Sequence, residues 1–165
     1  MKDAPYKIPL FDLDIGEEEI QAVRGVLESK WLTMGDVTRR FEEAFSEFLG
    51  VPYCFAVCNG TAALHLAVRA VGIGTGDEVI CPSLTFVATA NAILYTGASP
   101  VFADIIGKHD LNISPDSIES RITDRTKAII VVHYGGNPCR MEEIMEIAAR
   151  HELKVIEDAA HAPGA

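Results

Sequence analysis

Basic residues are scarce in this chain. Only 14 Lys+Arg stand against 24 Asp+Glu, a formal net charge of -10 over 165 residues. A surface of that sign repels a phosphate backbone, which argues against nucleic acid as a partner. Long apolar runs are also missing, and none approaches the ~18 residues that a bilayer-spanning helix needs, so no membrane partner is expected. The opening MKDAPYKIPLFDLDIGEEE has no apolar h-region and does not read as a secretory signal. Cysteines are few, and Cys54, Cys58, Cys81 and Cys139 form no Cys-x-x-Cys pair. They read as reduced core thiols of a cytoplasmic protein, not as disulfides or metal ligands. No internal repeat and no low-complexity tract is visible.

What remains is ordinary globular composition, 48% hydrophobic and 23% charged. Such a chain can bury a core, and one domain is the default at this length. Apolar residues recur at helical spacing near residues 17–30 (Ile20, Val23, Leu27), behind an acidic first turn of Glu17, Glu18 and Glu19. A second helix is expected over 37–49, with Phe41, Ala44, Phe45 and Phe48 on one stripe and Gly50 as its stop. Beyond it, short apolar runs alternate with helices. Cys54–Cys58, Glu78–Cys81, Pro100–Ala103, Ala128–Val132 and Lys154–Ile156 read as strands. The intervening 62–71, 85–95, the segment opened by Ser114-Pro115, and 141–150 read as helices. In the last of these, Met141, Ile144, Met145 and Ala148 form the apolar stripe. This alternation predicts a three-layer α/β/α fold with a mostly parallel sheet. The count of about five strands ends just after the fifth, leaving it either an edge or part of a longer sheet.

In such a sheet, ligands sit outside the carboxyl ends of the strands. After the first strand comes Asn59-Gly60-Thr61-Ala62, running into a helix whose N–H groups could bind a phosphate; the same residues could equally be a turn and a cap. Gly72-Ile73-Gly74-Thr75-Gly76 follows a helix and precedes a strand, the wrong order for a dinucleotide fingerprint. Phe86 could stack on a planar ring or fill the core. Asp158 ends an apolar strand, where a carboxylate needs either a positive partner, such as a protonated ring nitrogen, or a turn to cap. His161 lies three residues on, and a metal pair with Asp158 lacks further ligands at convincing spacing. His133 and His65 read as structural histidines. Trp31 lines a ligand cleft or anchors the N-terminal arm.

The ordered segments WLTMGDVTRRFEEAFSEFLGV, NGTAALHLAV, GDEVICPSLTFVATANAILYTGASPVFADI, RTKAIIVVHYGG and VIEDAAHAPGA resemble the DegT/StrS family of sugar aminotransferases, pyridoxal 5'-phosphate (PLP) enzymes of fold type I. The resemblance runs through nearly the whole chain. It implies that residues 1–50 form a helical arm and residues 51–165 part of the PLP-binding large domain, with the small C-terminal domain absent. It implies that Gly60, Thr61 and Ala62 hold the cofactor phosphate, that Phe86 stacks on the pyridine ring, and that Asp158 pairs with the pyridinium nitrogen. By the same resemblance His161 lies near the cofactor's 3-oxygen, and Trp31, Leu32 and Thr33 near the substrate.

The family's Schiff-base lysine follows the IEDAAHA segment, and none of Lys2, Lys7, Lys30, Lys108, Lys127 and Lys154 stands in that context. The chain is therefore expected to be the N-terminal part of a longer enzyme and inactive alone. The implied reaction is transamination of a nucleotide-linked keto sugar, with glutamate as the expected donor, in a homodimer that serves polysaccharide biosynthesis. A non-catalytic binding module and a sugar dehydratase of the same family are the alternatives.

Overall fold

A computed structural model describes residues 12–164. The chain divides into two compact units, one ending at Ala56 and one beginning at Val57. The first holds α1 (Glu17–Ser29) and α2 (Asp36–Leu49). α1 starts where the backbone N–H of Gly16 donates to the Glu19 carboxylate at 2.7 Å, the one side-chain half of a capping box that a glycine N-cap permits. α2 stops at Gly50, whose φ of 66° is the left-handed conformation that ends helices. Neither helix buries a residue fully.

The second unit is an α/β domain. Four strands, β1 (Glu78–Pro82), β2 (Ser99–Ala103), β5 (Thr126–Val132) and β6 (Lys154–Asp158), form one sheet in the order β2-β1-β5-β6. Every pairing in it is parallel. Around it lie α3 (Gly60–Ala70), α4 (Ala88–Leu94), α5 (Pro115–Glu119) and α6 (Met141–Arg150). Alternation along the strands sorts the core into two layers. Val79, Cys81, Ala128, Ile130 and Ile156 pack with Leu64 and Val68 of α3 and Ala88, Ala92 and Ile93 of α4. Ile80, Ala103, Ile129 and Val131 pack with Ile118 of α5 and Ile144, Ile147 and Ala148 of α6. A strand covered on both faces has no polar side to show, so AIIVV is apolar throughout.

Several expectations are corrected. Cys54–Cys58 is not a strand. It has no ladder partner among the described residues, Phe55 is 78% exposed, and the division between the two units falls inside it. An apolar run becomes a strand only when a neighbour takes up its backbone N–H and C=O groups. The thiols divide accordingly: Cys81 and Cys139 are buried, Cys54 is partly buried and Cys58 exposed. The fourth helix begins at Ala88, not Thr85. In α6 the stripe runs through Ile144, Ile147 and Ala148, while Met145 is half-exposed, because positions 144, 147 and 148 share one side of the helix. A further element appears, an antiparallel hairpin of β3 (Ile105–Gly107) and β4 (Asp110–Ile113).

Ile129 and Ile130 are fully buried on opposite faces of the sheet. Ile129→Ala and Ile130→Ala should each destabilise the fold by about 2–5 kcal/mol. The check is the urea unfolding midpoint, which should fall with the m-value unchanged.

Candidate functional site

The strand order places a crevice. From β1 the chain moves to β2 on one side, and from β5 it moves to β6 on the other, so the connections diverge between β1 and β5. In an open parallel sheet that divergence, at the carboxyl ends, is where ligands are received. Four loops meet this edge: Ser83–Val87 after β1, Asp104 after β2, His133–Arg140 after β5, and Ala159–Gly164 after β6.

α3 delivers its N-terminus to the same edge. Its C-terminal end leads through the short 71–77 segment to the start of β1 at Glu78, which is the amino edge of the sheet. An 11-residue helix is about 16 Å long, similar to a five-residue strand, so Gly60 lies at the opposite edge. The cap is Asn59, whose side-chain oxygen accepts from Ala62 N–H at 2.9 Å. Ala63 N–H donates to the Asn59 carbonyl. The N–H groups of Gly60 and Thr61 have no acceptor among the described residues. They are the donors this helix end leaves open.

Phe86, in the loop after β1, is 74% exposed and is not a core aromatic. Its loop is fixed from beneath, where Thr85 and the fully buried Thr89 share a hydroxyl hydrogen bond of 2.8 Å. Ser83 N–H also donates to the Ala103 carbonyl at 2.8 Å.

Asp158 is the last residue of β6 and partly buried. Its carboxylate accepts from Ala160 N–H at 3.2 Å, so it does cap the following turn. It makes no ion pair among the described residues. The turn is not helical, so Asp158 and His161 do not share a helix face. His161 is held instead by the loop after β5: Gly135 N–H donates to its Nδ1 at 3.2 Å, and the Tyr134 ring stands edge-on to it at 6.1 Å between centroids. His133 is buried and structurally occupied. Its Nδ1 accepts from Cys139 N–H at 3.1 Å, which leaves Nε2 to donate to Glu157 at 2.9 Å. No cluster of three or more metal-ligating side chains occurs among the described residues.

Trp31, Leu32 and Thr33 belong to the first unit, beside a groove they share with Val26 and the start of α2. The indole Nε1 donates to the Met34 carbonyl at 3.1 Å. A Cβ on Gly35 would sit 2.5 Å from that nitrogen, so the turn requires glycine for this close approach.

Sequence reasoning missed Asn112. This residue is 2% exposed, and its side-chain oxygen accepts from Tyr134 N–H at 3.0 Å. Its amide nitrogen donates to the carbonyls of Asn137 and Pro138, at 3.1 Å each. The available signal was a lone asparagine between Leu111 and Ile113, an amide that burial obliges to find partners.

The fold is that of the fold type I PLP-dependent aminotransferases. Within that class the chain belongs to the DegT/DnrJ/EryC1/StrS aminotransferase family, which it matches over residues 13–165. It is 52% identical over 158 residues to the spore coat polysaccharide biosynthesis protein SpsC of Bacillus subtilis, covering 96% of this chain and 39% of that protein. The solved aminotransferase from Psychrobacter cryohalolentis is 43% identical with a TM-score of 0.86, over 92% of this chain and 38% of that one. NtdA of Bacillus subtilis, solved with bound cofactor PMP, is 38% identical with a TM-score of 0.85, over 91% and 35% of the two chains. The chain thus spans about two fifths of the length of these relatives.

Near the site the thiols are poor nucleophiles. Burial pushes Cys81 up to about 12. Burial, reinforced by the Asp110 and Glu157 carboxylates, pushes Cys139 up to about 11. A thiol near 11 carries about a hundredth of the thiolate of an ordinary one at neutral pH. Native labelling with a disulfide reagent should therefore modify Cys58 first and Cys139 at least about a hundredfold more slowly, with mass spectrometry locating each adduct.

Proposed function

We propose that this chain supplies the cofactor-binding part of a PLP-dependent aminotransferase. The substrate is a nucleotide-linked keto sugar, the amino donor an amino acid such as glutamate, and the aminated sugar goes to polysaccharide synthesis. The observation that carries the reading is Asp158, a partly buried carboxylate at the end of β6, without a cationic side-chain partner among the described residues, on the edge that also receives the open N-terminus of α3.

The residues fit the group. The free N–H groups of Gly60 and Thr61, together with the positive end of the helix dipole, suit its phosphate, and Ala62 keeps that turn capped through Asn59. The exposed ring of Phe86 suits stacking on its pyridine plane. Asp158 suits its ring nitrogen, holding the proton there by charge. By the family resemblance His161 would lie toward the ring's oxygen substituent, and Trp31, Leu32 and Thr33 would serve the sugar. Bound PLP supplies an electron sink for removal of the amino donor's Cα proton. The chain's task is to fix the ring and keep that sink protonated.

The covalent anchor and proton carrier is a lysine outside these residues. Lys127 and Lys154 stand at the amino ends of β5 and β6, the edge opposite the site. The small C-terminal domain and a second subunit of a cytoplasmic homodimer complete the enzyme, and the 165 residues alone are inactive.

A PLP titration followed by the cofactor's absorbance and induced circular dichroism tests this. Reversible binding is expected, with Asp158→Asn weakening it about tenfold or more, since a charge-assisted hydrogen bond is lost. Borohydride reduction should leave no lysine adduct in this chain; an adduct on any of its lysines would contradict the missing-anchor claim. Tight NAD binding without any PLP response would replace the reading with that of a plain nucleotide-binding domain.

A further inference from the structure

Asn112 lies on β4, outside the main sheet, yet its side chain reaches the loop that follows β5. Its bonds allow one orientation of the amide. Tyr134 offers an N–H and needs the oxygen; Asn137 and Pro138 offer carbonyls and need the nitrogen. Turning the amide over would oppose donor to donor once and acceptor to acceptor twice. One buried side chain therefore grips the loop near its start and near its end.

Beside and between those grips the loop makes contacts with the end of β6. His133 N–H donates to the Asp158 carbonyl at 3.2 Å. Gly135, in the left-handed conformation at φ 63°, turns its N–H onto His161 Nδ1. Gly136 follows at φ 86°, and a Cβ there would come within 3.0 Å of the His161 carbonyl, so the two loops are in close contact. A neutral imidazole that accepts at Nδ1 carries its proton at Nε2.

We propose that Asn112 is a positioning residue: by clamping Tyr134 and Asn137-Pro138 it sets Gly135 onto His161 and so holds His161 as the Nε2–H tautomer, with a donor presented to the ligand. The proposal deepens the PLP reading and rests on it for the identity of that ligand, but the clamp itself is a property of this chain.

The test is nitrogen-15 NMR of the imidazoles at alkaline pH, together with amide hydrogen exchange, on the protein without and with PLP. In the unsubstituted protein, the His161 nitrogens should show the Nε2–H pattern. An Nδ1–H pattern, or an averaged one, overturns the proposal without any variant. Asn112→Asp keeps the acceptor for Tyr134 but sets a carboxylate oxygen against two carbonyls, and Asn112→Ala removes every contact. In both, His161 should move to an averaged tautomer. Gly135 exchange should rise at least about tenfold while Ile129–Val131 stay protected, and PLP affinity should fall severalfold. Unchanged tautomer and exchange in Asn112→Ala would refute the clamp. If the tautomer and exchange respond as stated but PLP does not bind even the unsubstituted protein, the clamp stands and the cofactor reading fails. If Asn112→Ala exposes the sheet amides too, the unsubstituted spectrum and Asn112→Asp decide.

Discussion

The parallel pairing of β5 with β6 is the constraint on which the carboxyl edge depends. Its register runs without interruption from Ala128 opposite Lys154 to Val132 opposite Asp158. Both strands therefore end together, and the residues that follow them are neighbours before any side chain acts. His133 N–H extends the ladder by one bond to the Asp158 carbonyl. The His133 imidazole adds a second link to β6, through Glu157. A strand alternates its faces, so Glu157 and Asp158 point to opposite sides. One carboxylate is used to tie the strands and the other is left at the edge. A slip of one residue would exchange the two, putting the strand-tying group where Asp158, which only caps the turn after β6, now stands.

The same core fixes the distance between the two ends of the cradle. Leu64 and Val68 of α3 share a buried cluster with Ile156 of β6, two residues before Asp158. Val79 and Cys81 of β1 and Ile130 of β5 complete that cluster. The helix end and the carboxylate are therefore set by close-packed side chains, which resist volume changes as small as a methylene, and not by loops alone. Loops supply the groups that meet a ligand, and rigid elements decide where the loops start.

The legible part of this architecture is the part written in local pattern. AIIVV and the capped helices at Gly50 and Ser114-Pro115 announce themselves because burial on both faces, left-handed stops and first-turn prolines leave marks in the sequence. The edge residues were legible as types at strand ends, since Asp158 and Phe86 follow apolar runs. CFAVC was misread because hydrophobicity records only that a segment tends toward burial, while a strand also needs a partner, which no window of residues contains. The β3–β4 hairpin was invisible because its turn, Lys108-His109, carries neither the glycine nor the asparagine by which short hairpins are recognised. Asn112 escaped for a related reason. Its partners, Tyr134, Asn137 and Pro138, are more than twenty residues away, so its role exists only in the folded chain.

The first unit follows a different balance. α1 and α2 have an acidic start, clear stops and an apolar stripe, and on α2 the Phe41 and Phe45 rings stack at 5.6 Å with Phe48 tilted against Phe45 at 6.2 Å. Yet Phe41 and Phe48 remain more than half exposed. Helices of 13 and 14 residues are marginal by propensity alone, and most helical stability in proteins comes from covering such a stripe. The caps decide where these helices begin and end, but they contribute only about 1 kcal/mol each. The turn between them is held by its own side chains. The Trp31 indole donates back to Met34 and rests where Gly35 has no side chain, a geometry that survives without any covering surface. That turn, like the Ala56 N–H held by Glu42 at 2.8 Å, is fixed by the unit's own residues, whereas the apolar stripe is not covered by them.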